Sequence, residues 1–305
     1  VDGGDGDGVE RAGATTVTYC VSMLLDSGLV FLADSRTSAG VDQINTFRKT
    51  TVFERPGDRV IVMLSAGNLA ISQGVLNLLA EKLATHDAHT MSLHNSPNMF
   101  EAARCVGEAL REMHMRDGDA LKTQGVDFNA TFIVGGQIMG EPPRLFQVYA
   151  AGNFIEATPD TTYFQIGESK YGKPIIDRVT RRSMALSEAA KCALISMDST
   201  IRSNLTVGLP LDLVIVRRDE YRVSSHVDID ADDLESVDAE FRGERRRAEA
   251  HGTSHRHDDV GALVVEVLRE ITALVERREV VGEEPSLLVR RVPAKHLHAG
   301  ALGLV

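Results

Sequence analysis

Thr18, Asp34 and Lys49 carry the side chains from which a hydroxyl nucleophile could be assembled. They lie in the stretch 18–49, TYCVSMLLDSGLVFLADSRTSAGVDQINTFRK. If the residues ahead of Thr18 are absent from the mature protein, that threonine holds both a hydroxyl and a free α-amine. A first-residue threonine beside a lysine is a nucleophile with its own base. A lysine buried without a partner gives up its proton, and a neighbouring aspartate prevents that. Taken singly, each residue has a plainer explanation. Thr18 reads as an ordinary strand residue, Asp34 as a strand end, and Lys49 as a solvated surface lysine.

The elements around these residues must bring them together. Apolar runs at 19–25 and 29–33 flank Asp26-Ser27-Gly28, a hairpin signal that carries the chain back to Asp34 beside its start. RVIVML at 59–64 reads as a buried strand, with 47–53 pairing beside it. Helical spacing follows at 69–83 and 99–115, the second helix starting after Pro97. Strands return at 129–134 and 144–149, with Gly135-Gly136 and Pro142-Pro143 marking the turn region between them. A short strand at 161–166, helices at 174–180 and 187–199, and strands at 212–217 and 221–225 complete the pattern. Strands and helices in groups predict an α+β protein with two stacked antiparallel sheets and a helix pair outside each.

Composition bounds the function. The chain has 305 residues, 43% hydrophobic and 25% charged, enough for a sizeable core. Its formal net charge of −11 disfavours nucleic acid as a partner. No apolar run approaches the roughly 18 residues of a membrane span, so no membrane is expected. The three cysteines, Cys20, Cys105 and Cys192, are odd in number and far apart, and read as buried reduced thiols. A cytoplasmic protein is the expectation. His251, His255 and His257 read as solvated rather than as metal ligands. Gly135-Gly136 is followed by no Gly-Lys-Ser/Thr and is not a phosphate loop. No metal or cofactor is expected.

Three zones are expected: a leader at 1–17, a folded domain at 18–227 and a tail at 228–305. The leader is acidic and Gly-rich, with neither the basic nor the apolar region of a secretory signal. The tail opens acidic and becomes Arg- and His-rich, with an amphipathic helix at 260–275. It reads either as an interaction tail or as translation past the natural end of the gene.

The order Thr18, Leu32-Ala33-Asp34-Ser35-Arg36-Thr37, Lys49 resembles the proteasome β-subunit family. The run 35–43, SRTSAGVDQ, looks most like the bacterial homologues called Anbu. Asp34 follows Thr18 by sixteen residues and Lys49 by thirty-one, one fewer than is usual in β-subunits and similar to the Anbu group. The resemblance covers roughly 18–235. It implies a four-layer αββα sandwich of the N-terminal nucleophile hydrolase type that cleaves amide bonds in peptides or proteins. It also implies a homo-oligomer, as a ring or an open helical stack.

The resemblance implies roles as well. Thr18 is the nucleophile and its α-amine the base. Lys49 holds positive charge beside the hydroxyl, and Asp34 holds Lys49. The Gly67 N–H is the oxyanion donor, at a helix start where negative charge is favoured. Ser169, in Gly167-Glu168-Ser169, resembles the family serine near the threonine amine, and Asp198, in Ser196-Met197-Asp198-Ser199, resembles the second family acid. Glu168 departs from that loop's usual pattern. Arg36 braces the site or a subunit contact. Pocket specificity is expected from positions near 37–38 and 62–70. Val17 departs from the glycine after which proteasome precursors cut themselves. A start at Val17, read as formyl-methionine and then removed, exposes Thr18 instead. Two other readings stand beside the peptidase: a scaffold that keeps the fold without proteolysis, and an amidase for a small metabolite.

Overall fold

The computed structural model describes residues 18–38, 44–84 and 90–230. The leader with Val17, most of the SRTSAGVDQ run, the histidine cluster and the 260–275 segment lie outside the described residues.

Two five-stranded antiparallel sheets dominate. The first has the order β10-β1-β2-β11-β12, built from Tyr163–Gly167, Tyr19–Leu25, Gly28–Asp34, Leu211–Arg217 and Ser225–Ile229. The second has the order β5-β6-β7-β8-β9, from Thr50–Arg55, Arg59–Gly67, Ala130–Ile138, Arg144–Val148 and Phe154–Glu156. A small pair, β3 (Arg36–Ser38) and β4 (Ile44–Thr46), leads from one sheet to the other. The helices are α1 (Leu69–Ala84), α2 (Met99–Thr123), α3 (Lys173–Val179) and α4 (Leu186–Ser203).

Strands β1 and β2 are buried along their whole length, which is why they read as continuous apolar runs rather than alternating ones. Tyr19, Val21 and Met23 face Ile176 of α3 and Ala189, Ala193 and Met197 of α4. Cys20, Leu24, Phe31 and Ala33 face the second sheet, where Val60, Val62, Leu64 and Ile133 meet them. The far face of that sheet, Ile61, Met63, Phe132 and Phe146, packs on α1 and α2.

Helix α1 presents Ile71, Val75, Leu78 and Leu79 to this core, one stripe at helical spacing. Helix α2 is N-capped by Asn98, whose side chain accepts from Glu101 N at 2.8 Å. It runs eight residues past the expected end at 115. Beyond Met113 only Gly118 and Leu121 are half-buried, Leu121 against the core, and the other residues are exposed, so the apolar period fades while the backbone continues to Gly125, which takes φ +67 and ends it.

Two other expectations are corrected. Gly135-Gly136 is no turn: it lies inside β7. A Cβ at 135 would stand 2.9 Å from Phe31 Cζ across the sheet interface, and one at 136 would stand 2.0 Å from Val60 O. The last strand is Ser225–Ile229, not 221–225, because Asp219 (φ 66) and Tyr221 (φ 50) adopt left-handed turn conformations.

Candidate active site

The hairpin of β1 and β2 returns the chain beside its start, and Asp34 ends β2 next to Thr18. Lys49 arrives from the second sheet, immediately ahead of β5. All three are buried: Thr18 is 1%, Asp34 0% and Lys49 6% exposed. Their polar groups converge on one atom. Asp34 Oδ1 accepts from Thr18 Oγ1 at 2.5 Å, from Tyr19 N at 3.0 Å and from Lys49 Nζ at 2.7 Å. Lys49 Nζ also donates to Arg36 O at 2.7 Å. Asp34 Oδ2 is buried without a hydrogen-bond partner. The hydroxyl therefore shares its acceptor with the ammonium group.

A small cleft opens beside Thr18, about 20 Å³, room for about one water molecule. Lys49, Ser65, Ala66, Gly67, Leu69 and Ser72 line it with Thr18. Gly67 closes β6 at φ +105, where a Cβ would meet Asn129 O at 2.4 Å, so only glycine fits. Asn68 then caps α1, its Oδ1 accepting from Ala70 N at 3.0 Å. The glycine thus stands in the cleft wall just before a helix N-terminus.

The other two expected residues do not line this cleft. Ser169 is exposed, on the loop after β10, and its carbonyl accepts from Lys173 N at 3.2 Å. Asp198 lies on α4 and pairs with Arg202 one turn on, at 2.9 Å. From the Ser169 loop it is Glu168 that touches Thr18, its N–H donating to Thr18 O at 2.6 Å. Sequence reasoning gave Glu168 no role and noted it only as a departure. Tyr19 was missed too. Its phenol hydrogen bonds Ser196 on α4, and burial pushes its pKa well above the ordinary tyrosine value.

The cysteines are all buried and free. Burial raises the Cys20 thiol, next in strand to Tyr19, and pushes Cys105 up to about 11, so both stay protonated.

Next to Lys49, Arg48 enters a second cluster. It donates to Asp212 Oδ2 at 3.2 Å and to Asp228 Oδ2 at 2.8 Å, and His226 Nε2 lies 2.5 Å from Asp212 Oδ1. Asp212, His226 and Asp228 offer atoms within 4.8 Å of one another, the spacing of a metal site. The guanidinium already bonds both carboxylates and sets its own charge against a cation there.

Comparison with known proteins places this arrangement. No family model matches the chain. An Anbu protein from Hyphomicrobium sp. strain MC1, a Gly-1 mutant, is 50% identical, with a TM-score of 0.68 over 79% of this chain and 99% of that one. The chain belongs to the Anbu family. Anbu from Yersinia bercovieri, described as an ancestral β-subunit, is 48% identical with a TM-score of 0.67 over 79% and 99% of the two chains. Anbu from Pseudomonas aeruginosa, solved as a helical assembly, is 43% identical with a TM-score of 0.67 over 88% and 99%. Proteasome subunit beta 2 of Nitrosopumilus maritimus is 24% identical over 208 residues, 68% of this chain and 89% of that one. The Anbu match and the β-subunit match agree with the resemblance carried by Thr18, Asp34 and Lys49. No helix among the described residues is long and apolar enough to cross a membrane.

Proposed function

We propose that this Anbu protein is a threonine-type N-terminal nucleophile hydrolase that cleaves amide bonds in peptides. The observation that carries the reading is the convergence of Thr18, Asp34 and Lys49 at a cleft whose wall contains Gly67. Helices α3 and α4, the two sheets, and helices α1 and α2 pack in that order, which supports a four-layer αββα sandwich. The working domain starts at 18, with 1–17 a leader; the boundary expected at 227 falls inside β12, whose Asp228 and Ile229 pair with β11, so the domain runs through 229 and the tail follows it.

In the proposed reaction the freed α-amine of Thr18 takes the hydroxyl proton, directly or through the one water that the cleft admits. Oγ1 attacks the carbonyl carbon. The oxyanion forms at the Gly67 N–H, before the N-terminus of α1. The protonated amine returns its proton to the leaving nitrogen, and an ester on Thr18 remains. Water, deprotonated by the same amine, hydrolyses that ester. Lys49, held by Asp34 and the Arg36 carbonyl, keeps positive charge beside the hydroxyl throughout. Ser169, next to Glu168, is proposed to stand near the amine, and Asp198 to be the second acid, although its carboxylate pairs with Arg202. The protein would work as a homo-oligomer, as the helical assembly of the Pseudomonas aeruginosa relative suggests. The buried free thiols suit a reducing compartment such as the cytoplasm.

A second reading, a scaffold without proteolysis, is favoured by one feature: the Thr18 hydroxyl donates to the same oxygen that holds Lys49. One experiment separates the two. A peptide epoxyketone, which needs both a hydroxyl and an amine on one residue, is incubated with purified protein and the intact mass recorded. An adduct on Thr18 is expected. Its absence, with the oligomer intact by light scattering, would make the protein a scaffold.

A further inference from the structure

A residue that begins a chain has no preceding peptide to hold it. Thr18 must then be fixed by its own carbonyl and by the residue after it. The Tyr19 N–H is anchored on Asp34 at 3.0 Å. The Thr18 carbonyl is anchored on Glu168 N at 2.6 Å. It also packs on bare backbone: Gly167 has φ +83, and a Cβ there would stand 1.9 Å from Thr18 O.

What holds Glu168 is its own carboxylate. Oε1 accepts from Lys170 N at 2.9 Å and Oε2 from Asn204 Nδ2 at 3.1 Å. Asn204 ends α4, and its Oδ1 accepts from Thr206 N at 3.0 Å and Thr206 Oγ1 at 2.7 Å. The same turn, 204–208, receives Arg36. Its Nη1 donates to Leu205 O at 3.0 Å, and its guanidinium lies so close to Gly208 that a Cβ there would be 2.4 Å from Cζ. The Arg36 carbonyl accepts from Lys49 Nζ. One short turn is therefore tied to the backbone beside Thr18 on one side and to the support of Lys49 on the other.

We propose that Glu168 is a positioning residue for Thr18, acting through Asn204, and that the 204–208 turn is the strap that fixes Thr18 relative to Lys49. The catalytic consequence rests on the hydrolase reading; the anchoring of Thr18 does not. Side chains that hold reacting groups in place matter to the rate because small displacements of a nucleophile are costly.

The test uses the full protein and the variants Glu168→Ala, Glu168→Gln, Asn204→Ala and the double Glu168→Ala/Asn204→Ala. Two quantities are read: the inactivation rate and half-saturation constant for the epoxyketone, and hydrogen-exchange protection of the Glu168 amide. Glu168→Ala should lower the maximal inactivation rate about tenfold with little change in half-saturation, the size of one lost charge-assisted hydrogen bond. Glu168→Gln should recover part of it, since its amide oxygen still accepts. The double variant should be no slower than Glu168→Ala, because the two residues act in series. Protection at Glu168 should fall in Glu168→Ala while β6 and α1 keep theirs. Unchanged rate and protection in Glu168→Ala, or additive effects in the double variant, would overturn the proposal. A wild type that forms no adduct, with protection still lost in Glu168→Ala, would sink the hydrolase reading and leave the anchoring standing.

Discussion

Arg48 and Lys49 are neighbours in sequence and enter two clusters of opposite character. Lys49 meets Asp34 with both side chains almost wholly shielded from water. Arg48 is 37% exposed and spans Asp212, which is buried, and Asp228, which is 52% exposed. The first cluster has one carboxylate and gathers three donors on one of its oxygens. The second has two carboxylates, an imidazole and a guanidinium, with water at its rim. The difference teaches where charge is expensive. In the dry cluster no solvent replaces a lost partner, and only Lys49 has a second acceptor, the Arg36 carbonyl, so removing one group strands the others. In the wet cluster solvent stands in for a lost partner.

Substitutions should rank accordingly. Lys49→Ala leaves the Asp34 carboxylate buried with only the Thr18 hydroxyl and the Tyr19 N–H. It should cost about 3–5 kcal/mol in denaturant unfolding, the range for breaking a buried pair. It should also slow adduct formation on Thr18 by about a hundredfold or more, as loss of a fixed charge beside the reacting atoms does. Arg48→Ala should cost only about 1 kcal/mol, since His226 still meets Asp212 and half-exposed pairs contribute little; adduct formation should keep its order of magnitude. A loss as large as that of Lys49→Ala would erase the distinction. Asp228→Asn should be smallest, under about 0.5 kcal/mol and shrinking further as salt is raised from 0.05 to 0.5 M. A salt-independent effect would show that this rim is drier than its exposure suggests.

The sequence made some of this legible and hid the rest for physical reasons. Strands buried on both faces show as unbroken apolar runs, so β1, β2 and β6 were readable. The trio at the site was readable because its residue types are unusual together and the hairpin between Thr18 and Asp34 has a local turn signal. Gly135-Gly136 misled because a glycine needed for close approach to another sheet looks the same as one needed for a turn. The three-residue strands β3, β4 and β9 are too short to show a period. Glu168 N, Tyr19 N and Arg36 O act through backbone atoms, which every residue possesses and no composition reveals. Asp198 was chosen by resemblance, and on α4 its carboxylate is engaged by Arg202.

The two glycines in the middle of β7 have an effect far from where they lie. Thr18 immediately precedes β1 and Asp34 ends β2 of one sheet, while Lys49 immediately precedes β5 and Gly67 ends β6 of the other, so the four straddle the gap between the sheets. Phe31 from the first sheet occupies the space that a side chain at Gly135 would fill. A methyl group there would meet Leu145 Cδ1 of its own sheet at 2.7 Å and Phe31 Cζ at 2.9 Å, so one of these side chains must shift for the layers to keep their spacing. The fit between the layer that carries Thr18 and the layer that carries Lys49 thus includes a bare α-carbon remote from both residues.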